Sequence, residues 1–402
     1  MKTLPMPNTQ QIAWMRDIRR HLHRHPELAF AEFATARFIV EQLGELGIPC
    51  REQVGRTGIV ASLGNRKTGA ACVALRADMD GLPITEQTGL PFASETPGVM
   101  HACGHDGHVA MLLGAAALLK AKEAELPGRV VLIFQPAEEG DGGAQGMIAD
   151  GALEGVNAIF AGHIDRNYGL NEIVVQPGLI SAFTDEFTIE IRSPGGHAAK
   201  PHETADSILA AGQLITSIQG IVAREVHPCL PAVITIGTIH GGDAANVIAA
   251  QVVLKGTIRT TSPETRSVCI ASLKRMTQAM EQLHRVETSF TLSEGYPPVI
   301  NDPVAANIAT AVAAAIVGFE KVKGQPLPSL GGEDFSFFLQ KIPGCMVRFG
   351  ARHTELHDAP AHSPRFDFDE QVLPTGALFL AQTAISALER MEELRGPAPN
   401  RA

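Results

Sequence analysis

The sequence predicts an α/β protein, with a mostly parallel sheet flanked by helices and interrupted by a smaller β-α-β-β-α-β unit. Three observations carry that reading. Short apolar runs alternate with helical spacing up to residue 181 and again after residue 293. Between 182 and 292 the order of elements changes. Three consecutive strand ends of the first part carry Asp78 and Asp80, then Glu138 and Glu139, then His163, which places a site at one edge of a sheet.

Taken in order, residues 10–25 and 32–46 have helical spacing, and the second stretch stops at Gly47. Between them HLHRHPELAF holds His21, His23 and His25. These form a basic helix end before Pro26, suited to the dipole, and a trio alternating along a helix does not converge on one ion. Runs 58–63 and 71–76 read as strands, the second leading into ADMDGLPI with Asp78 and Asp80 at its end. VMHACGHDGHVA, residues 99–110, precedes an apolar run at 109–119, read as a buried helix to about residue 123. That run is too short to span a bilayer. A buried strand at 130–136 leads Glu138 and Glu139 into a glycine-rich loop, and a strand at 156–161 ends at Gly162-His163.

From residue 182 the pattern is strand 183–191, helix 204–224, strands 232–239 and 252–260, helix 263–284 and strand 286–292. Ser262 caps the second helix and Pro263 takes its first position. This is a complete ferredoxin-like unit of about 110 residues. The expected domains are 1–181 and 293–402 as two parts of the larger one, with 182–292 inserted. A helix at 304–317, the loop GGEDFSFF, a strand near 346–349 and a helix at 368–393 complete the larger domain.

A chain of 402 residues exceeds one ordinary core. The net charge of −10, without a Lys/Arg-rich run, argues against nucleic acid as a partner. Cys50, Cys72, Cys103, Cys229, Cys269 and Cys345 are scattered without a CxxC pair, as in a reduced cytoplasmic protein. The start, MKTLPMPNTQ, lacks the apolar core of a signal peptide, so a soluble protein without a membrane partner is expected.

The densest chemistry lies at 99–110, where three histidines, a cysteine and an aspartate share twelve residues. Alternate residues such as Cys103 and His105 can face one ion. A hydrolytic metal site also needs a base that is not consumed as a ligand. Glu138 and Glu139 divide that work, since neighbours point in different directions. Cys103, His105, Glu139 and His163 supply ligands from three strand-end loops, and HDAPAHSPRFDFDE offers His357 and His362.

The motifs RADMDGLPI, MHACGHDGH, QPAEEG, Gly162-His163, GGHAAKPHETAD and GGEDFSFF occur in that order. Together they resemble the dinuclear-metal aminoacylase/carboxypeptidase family. The branch is that of hippurate hydrolases, N-acyl-amino-acid amidohydrolases and indole-acetyl-amino-acid hydrolases. The resemblance spans nearly the whole chain and implies a metallopeptidase-like catalytic domain with an inserted lid that also dimerises. It implies Cys103, His105, Glu139, His163 and His362 as metal ligands, selecting His362 over His357. Glu138 would be the general base and acid, and Asp80 would orient a ligand. Where other branches bridge two ions with a carboxylate, this sequence has Cys103, so one or two divalent ions per subunit fit, of zinc, manganese, cobalt or nickel.

The implied reaction is attack of metal-activated water on the amide of an N-acyl or N-aroyl amino acid, in a homodimer or higher homo-oligomer. His202 would hold the oxyanion from the partner subunit. Asn246 and Arg259 would contact the substrate carboxylate. His197 would order its own loop. Of the opening stretch, Cys103 and His105 are the expected ligands, while His101 and His108 brace the loop and Asp106 orients one of them. The branch usually has a Trp-Pro-rich turn after His163, where this sequence reads HIDRNYGLNEI. Alternative readings are a dipeptidase or aminopeptidase with the same centre, a non-catalytic metal-containing binding protein, and a closed structural zinc site.

Overall fold

The computed structural model describes residues 4–64, 70–140, 142–352 and 359–395. The strands of its two main sheets, in chain order, begin with β1 (Cys50–Val54), β2 (Gly58–Gly64), β3 (Cys72–Asp78), β4 (Arg129–Gln135), β5 (Ala158–Asp165) and β6 (Ile173–Val174). They continue with β7 (Phe183–Arg192), β8 (Ala232–Gly241), β9 (Gln251–Thr260) and β10 (Glu287–Glu294), and end with β11 (Val322–Lys323) and β12 (Gly344–Gly350).

The larger unit holds an eight-stranded sheet of order β1-β2-β4-β3-β5-β12-β6-β11. Its centre, β4-β3-β5-β12, is parallel, while β1-β2, β2-β4 and β12-β6 are antiparallel. All of Cys72–Asp78 is buried, as a central strand covered on both faces must be. Asp78 stands opposite Gln135 and Arg76 opposite Ala161, so β3, β4 and β5 end along one edge. That edge receives the Asp80, Glu138/Glu139 and His163 segments.

The helix His105–Lys120 starts behind this edge, and of its residues only Ala117 and Lys120 escape burial. It packs on Leu373–Glu389 and on Thr9–Arg24. A Cβ on Gly114 would lie 2.2 Å from Met15 Sδ, so glycine sets how closely these helices approach. Glu370–Glu389 has the length and composition of a membrane span, yet 89% of its apolar 18-residue window is buried inside the protein: it is a core helix. The closing helix was expected from residue 368. It begins at Leu373 because Asp369 caps a short 3-10 turn, Glu370–Val372, ahead of it.

The second compact unit comprises Leu179–Pro298 together with Leu327–Glu333, against expected boundaries of 182 and 292. Its sheet has the order β8-β9-β7-β10 with every pairing antiparallel, the ferredoxin-like arrangement. Alternate residues of β9 are buried, and the helices Ser207–Arg224 and Pro263–His284 pack on the sheet. Phe187, Ile189, Ile191, Leu214, Ile218, Leu254 and Leu273 form its own core. In the larger unit β1, β6 and β11 were not foreseen. β1 exposes its Arg-Glu-Gln centre, and two-residue strands carry no period to read.

Candidate metal centre

His105 opens its helix behind Gly104, which has φ +95°, a conformation that glycine adopts without steric cost. Its ring Nδ1 lies 2.9 Å from the Asp80 carbonyl oxygen and 3.1 Å from Asp80 Oδ1. Both partners only accept, so Nδ1 carries the proton and Nε2 keeps its lone pair. That lone pair is buried with no hydrogen-bond partner. It lies 3.7 Å from Glu139 Oε1 and 3.9 Å from Glu138 Oε2.

His163 follows the same logic. Its Nδ1 donates to the Ile164 carbonyl at 2.6 Å, so Nε2 is the acceptor and faces the Cys103 thiol, its hydrogen-bond partner, at 3.5 Å. His108 differs. Its Nε2 accepts the Ile164 N–H at 2.8 Å and its Nδ1 donates to Asp78 Oδ1 at 2.5 Å. Both nitrogens are committed, so His108 braces the strand end that carries His163.

The two glutamates leave a tight turn in which Ala137 has φ +54°, a left-handed conformation costing about 1–2 kcal/mol for a residue with a Cβ. Asp80 Oδ2 accepts the Glu139 N–H at 3.0 Å, so one carboxylate steadies both His105 and Glu139. His362, also left-handed at φ +66°, donates its backbone N–H to Ala102 and brings Nε2 to 3.3 Å from Glu139 Oε1. His357 lies outside the described residues.

Ligand atoms of Cys103, His105 and His163 lie within 4.8 Å of one another, as do those of Cys103, Glu139 and His362. The two groups share Cys103. The donor set fits a divalent metal: His105 Nε2 and Glu139 Oε1 are buried without hydrogen bonds, and each such orphan costs about 1–3 kcal/mol. Electrostatics agree. Burial opposes charge on His105, but Asp78, Asp80 and Cys103 outweigh it and raise its pKa, so the cluster draws positive charge to Nε2, where a cation would take the place of a second proton. Burial and Glu139 push the Cys103 thiol up. The cluster is short of positive charge, which a cation supplies.

Residues 74–386 match peptidase family M20/M25/M40. The chain belongs to this family. It is 40% identical over 379 residues to N-acetyl-L-cysteine deacetylase of Bacillus subtilis, covering 94% of this chain and 88% of that one. It is 40% identical over 377 residues to thermostable carboxypeptidase 1 of Saccharolobus solfataricus, covering 92% and 95%. Among solved structures it is similar to a Bacillus subtilis dinuclear metal binding peptidase of family M20, with TM-score 0.82 and 35% identity over 95% of this chain and 99% of that one. As an M20 protein it is a metal-dependent hydrolase of amide or peptide bonds.

Around the M20 site the fold places charge that the sequence reading did not assign. Asp106 was expected to orient His101 or His108. Instead its Oδ2 accepts from Arg19 Nε at 2.9 Å and from His23 Nδ1 at 2.8 Å. The reason is that Asp78 already satisfies His108, while the first helix brings a fully buried guanidinium against Asp106. Arg19 also pairs with Asp367 at 2.6 Å, and lies over the Phe92 and Phe368 rings. His23 is thus a buried partner rather than a plain helix end. Arg76 donates to Asp78 at 2.6 Å and to Asp334 of GGEDFSFF at 3.0 Å, tying the strand end that bears Asp78 to that loop. Periodicity carries no signal for such pairs, which join distant segments.

The inserted unit carries the other residues singled out in the sequence. His202 stands on the turn Pro201–Glu203 with its side chain 77% exposed, and Asn246 is exposed just before the strand Val247–Ile248. They share one end of the unit, since the Ala198 N–H bonds the Asn246 carbonyl and Gly196–His197 pairs with Val247–Ile248. His197 Nδ1 accepts the Ala199 N–H within that loop. Arg259, opposite Thr184 and Val233, stands eight positions beyond Gln251 on β9, about 26 Å along the strand.

Proposed function

We propose that the protein hydrolyses the amide bond of N-acyl or N-aroyl amino acids, releasing the free amino acid. The observation that carries this is the division of the glutamate pair beside the unpartnered His105 Nε2 and the Cys103–His163 pair. Both glutamates approach His105 Nε2, at 3.7 Å for Glu139 and 3.9 Å for Glu138, and the contact of Glu139 with His362 at 3.3 Å supports Glu139 as the ligand and Glu138 as the base. The relatives support the substrate class. A deacetylase of N-acetylcysteine and a carboxypeptidase both free an amino acid whose α-carboxylate is intact.

In this reading Cys103, His105, Glu139, His163 and His362 hold the metal, with Asp80 orienting His105. The two candidate ligand groups share Cys103, a donor set that would accommodate one or two divalent ions. Thiolate and imidazole suit zinc, and manganese, cobalt or nickel fit the same borderline set. When bound, a divalent ion supplies the Lewis acid that polarises the amide carbonyl and brings the pKa of water from 15.7 to about 7. Glu138 takes the proton of the attacking water and returns it to the departing amine, a role its burial among carboxylates and histidines protects from solvent. His202 donates to the oxyanion, and Asn246 and Arg259 hold the substrate carboxylate.

Asn246 and Arg259 sit at opposite ends of one inserted unit, so a single small carboxylate meets both only where two copies contribute. The edge strand β8 has one neighbour in its sheet and exposes Val233 and Ile239, which supports a homodimer built through this unit. Six free cysteines accord with a reducing, cytoplasmic location. A panel of N-acetyl amino acids, N-benzoyl amino acids and free-amine dipeptides, run with metal analysis of the purified protein, tests the substrate class. The acylated substrates are expected to turn over faster. Faster cleavage of free-amine dipeptides would overturn the proposal in favour of a dipeptidase.

A further inference from the structure

We propose that Glu32 is a positioning residue for the loop that carries Glu138: its carboxylate fixes the left-handed turn at Ala137 from which the two glutamates diverge. The inference rests on the reading of Glu138 as the base, and it starts from an anomaly. Glu32 occupies the N-cap position of the helix Phe33–Glu45, yet its side chain caps nothing there. The helix's free N–H groups at Ala34 and Thr35 are taken instead by Glu27, at 3.1 and 2.8 Å. Glu32 is fully buried, where an idle carboxylate is costly.

It spends both oxygens elsewhere. Oε1 accepts the Ala137 N–H at 2.9 Å, 105 residues away in sequence, and Oε2 accepts the Thr57 hydroxyl at 2.5 Å. Three segments therefore meet on one carboxylate. All three carry strained backbone: Phe30, Gln53, Arg56 and Ala137 are four of the seven non-glycine residues with positive φ among the described residues. Strain of this kind persists where surrounding contacts over-determine it.

The consequence for Glu138 is geometric. Its peptide lies between two anchored neighbours, the Ala137 N–H on Glu32 and the Glu139 N–H on Asp80. The Gly143 N–H closes the turn on the Ala137 carbonyl at 3.0 Å. A glycine at 137 would adopt this turn unaided. The chain has alanine, so the hold from Glu32 imposes the conformation.

The test is a double-mutant cycle on the metal-loaded enzyme, with kcat, KM, metal content and melting temperature recorded for each variant. Glu32→Ala is expected to lower kcat about 100-fold, the scale of a misplaced catalytic group. KM should stay within about threefold and metal content should equal that of the parent. Glu32→Gln should stay within about threefold of the parent, because its amide oxygen can accept from Ala137 while its NH2 donates to Thr57. With Ala137→Gly as background, the Glu32→Ala penalty should shrink to about tenfold, since glycine needs no hold. Should Glu32→Ala not fold, Glu32→Met fills the volume without an acceptor and replaces it.

An undiminished penalty in the glycine background overturns the inference. So does a Glu32→Gln loss equal to that of Glu32→Ala, or metal loss in proportion to activity. Glu138→Ala separates the two levels: an active Glu138→Ala removes the base assignment itself, whereas a dead Glu138→Ala beside an unimpaired Glu32→Ala removes only the positioning role.

Discussion

The residues drawn together by the larger unit and those offered by the inserted unit are prepared in opposite ways. His105, His163 and Glu139 sit at the sheet edge with one polar atom of each fixed by a backbone or carboxylate partner and another left pointing into the cluster. His202 and Asn246 stand exposed on loops. The first set is pre-organised, as a site must be when charge develops faster than a protein can rearrange. The second gains its electrostatic strength only once something covers it and excludes water. On the proposed reading, the buried cluster would carry the chemistry and the exposed His202 and Asn246 would contribute from a surface that is open in the single chain.

The largest test of this contrast falls on Glu138. Glu138→Ala is expected to reduce kcat by about 1000-fold or more, within the range for a general acid–base group. Elemental analysis of the same preparation should find the metal retained. Loss of metal would exchange the roles of Glu138 and Glu139, and undiminished turnover would remove the base from the buried region altogether.

A smaller but still large effect is expected from the exposed side. His202→Ala should lower kcat by about 100-fold, the size of one lost oxyanion donor. Its 77% exposed side chain makes little contact with its own fold, so stability should change by no more than about 0.5 kcal/mol. The pairing of a kinetic loss with an unmoved denaturation curve is the signature of a surface residue that works in another environment. Wild-type kinetics in this variant would confine the reaction to the buried cluster.

The same contrast explains what the sequence could reveal. Strand ends were readable because β3 and β4 are short apolar runs leading into acidic residues, while β5, expected to end at 161, runs on through His163 to Asp165. The ferredoxin-like order was readable because its strands alternate and its second helix begins with Ser262-Pro263. Candidate ligands close in sequence, such as Cys103 and His105, announced themselves by spacing. Glu32, Arg19 and His23 did not, because what each does depends on a partner tens to hundreds of residues away. Asp106 was misread for that reason: its neighbours in sequence are histidines, and its neighbours in space are Arg19 and His23.

His23 offers the mildest test, and it runs on stability rather than turnover. Its Nδ1 lies 2.8 Å from Asp106 and its Nε2 3.3 Å from Glu86, so both nitrogens donate and the ring is protonated. Burial lowers its pKa, but the hydrogen bonds to Asp106 and Glu86 outweigh burial and raise it above the ordinary 6.5. A raised folded-state pKa means that the folded protein binds the extra proton, so this contribution is complete below pH 6.5 and is lost as pH rises through the folded value. Glu86 carries the mirror sign. Burial raises its pKa, but His23, Thr88 and the Ser94 N–H prevail and lower it from 4.5, so its contribution is present above that pH and fades as pH falls. Both are in force between pH 4.5 and 6.5. His23→Gln should therefore destabilise the protein by about 1.5–3 kcal/mol at pH 6, the scale of hydrogen bonds to charged groups. The difference from the parent should narrow in urea melts as pH is raised from 6 towards 9 and the parent's ring gives up its proton. A difference that stays constant from pH 6 to pH 9 would show that His23 serves the buried region through shape alone, and that its charge does not contribute to holding Asp106 beside the metal-binding loop.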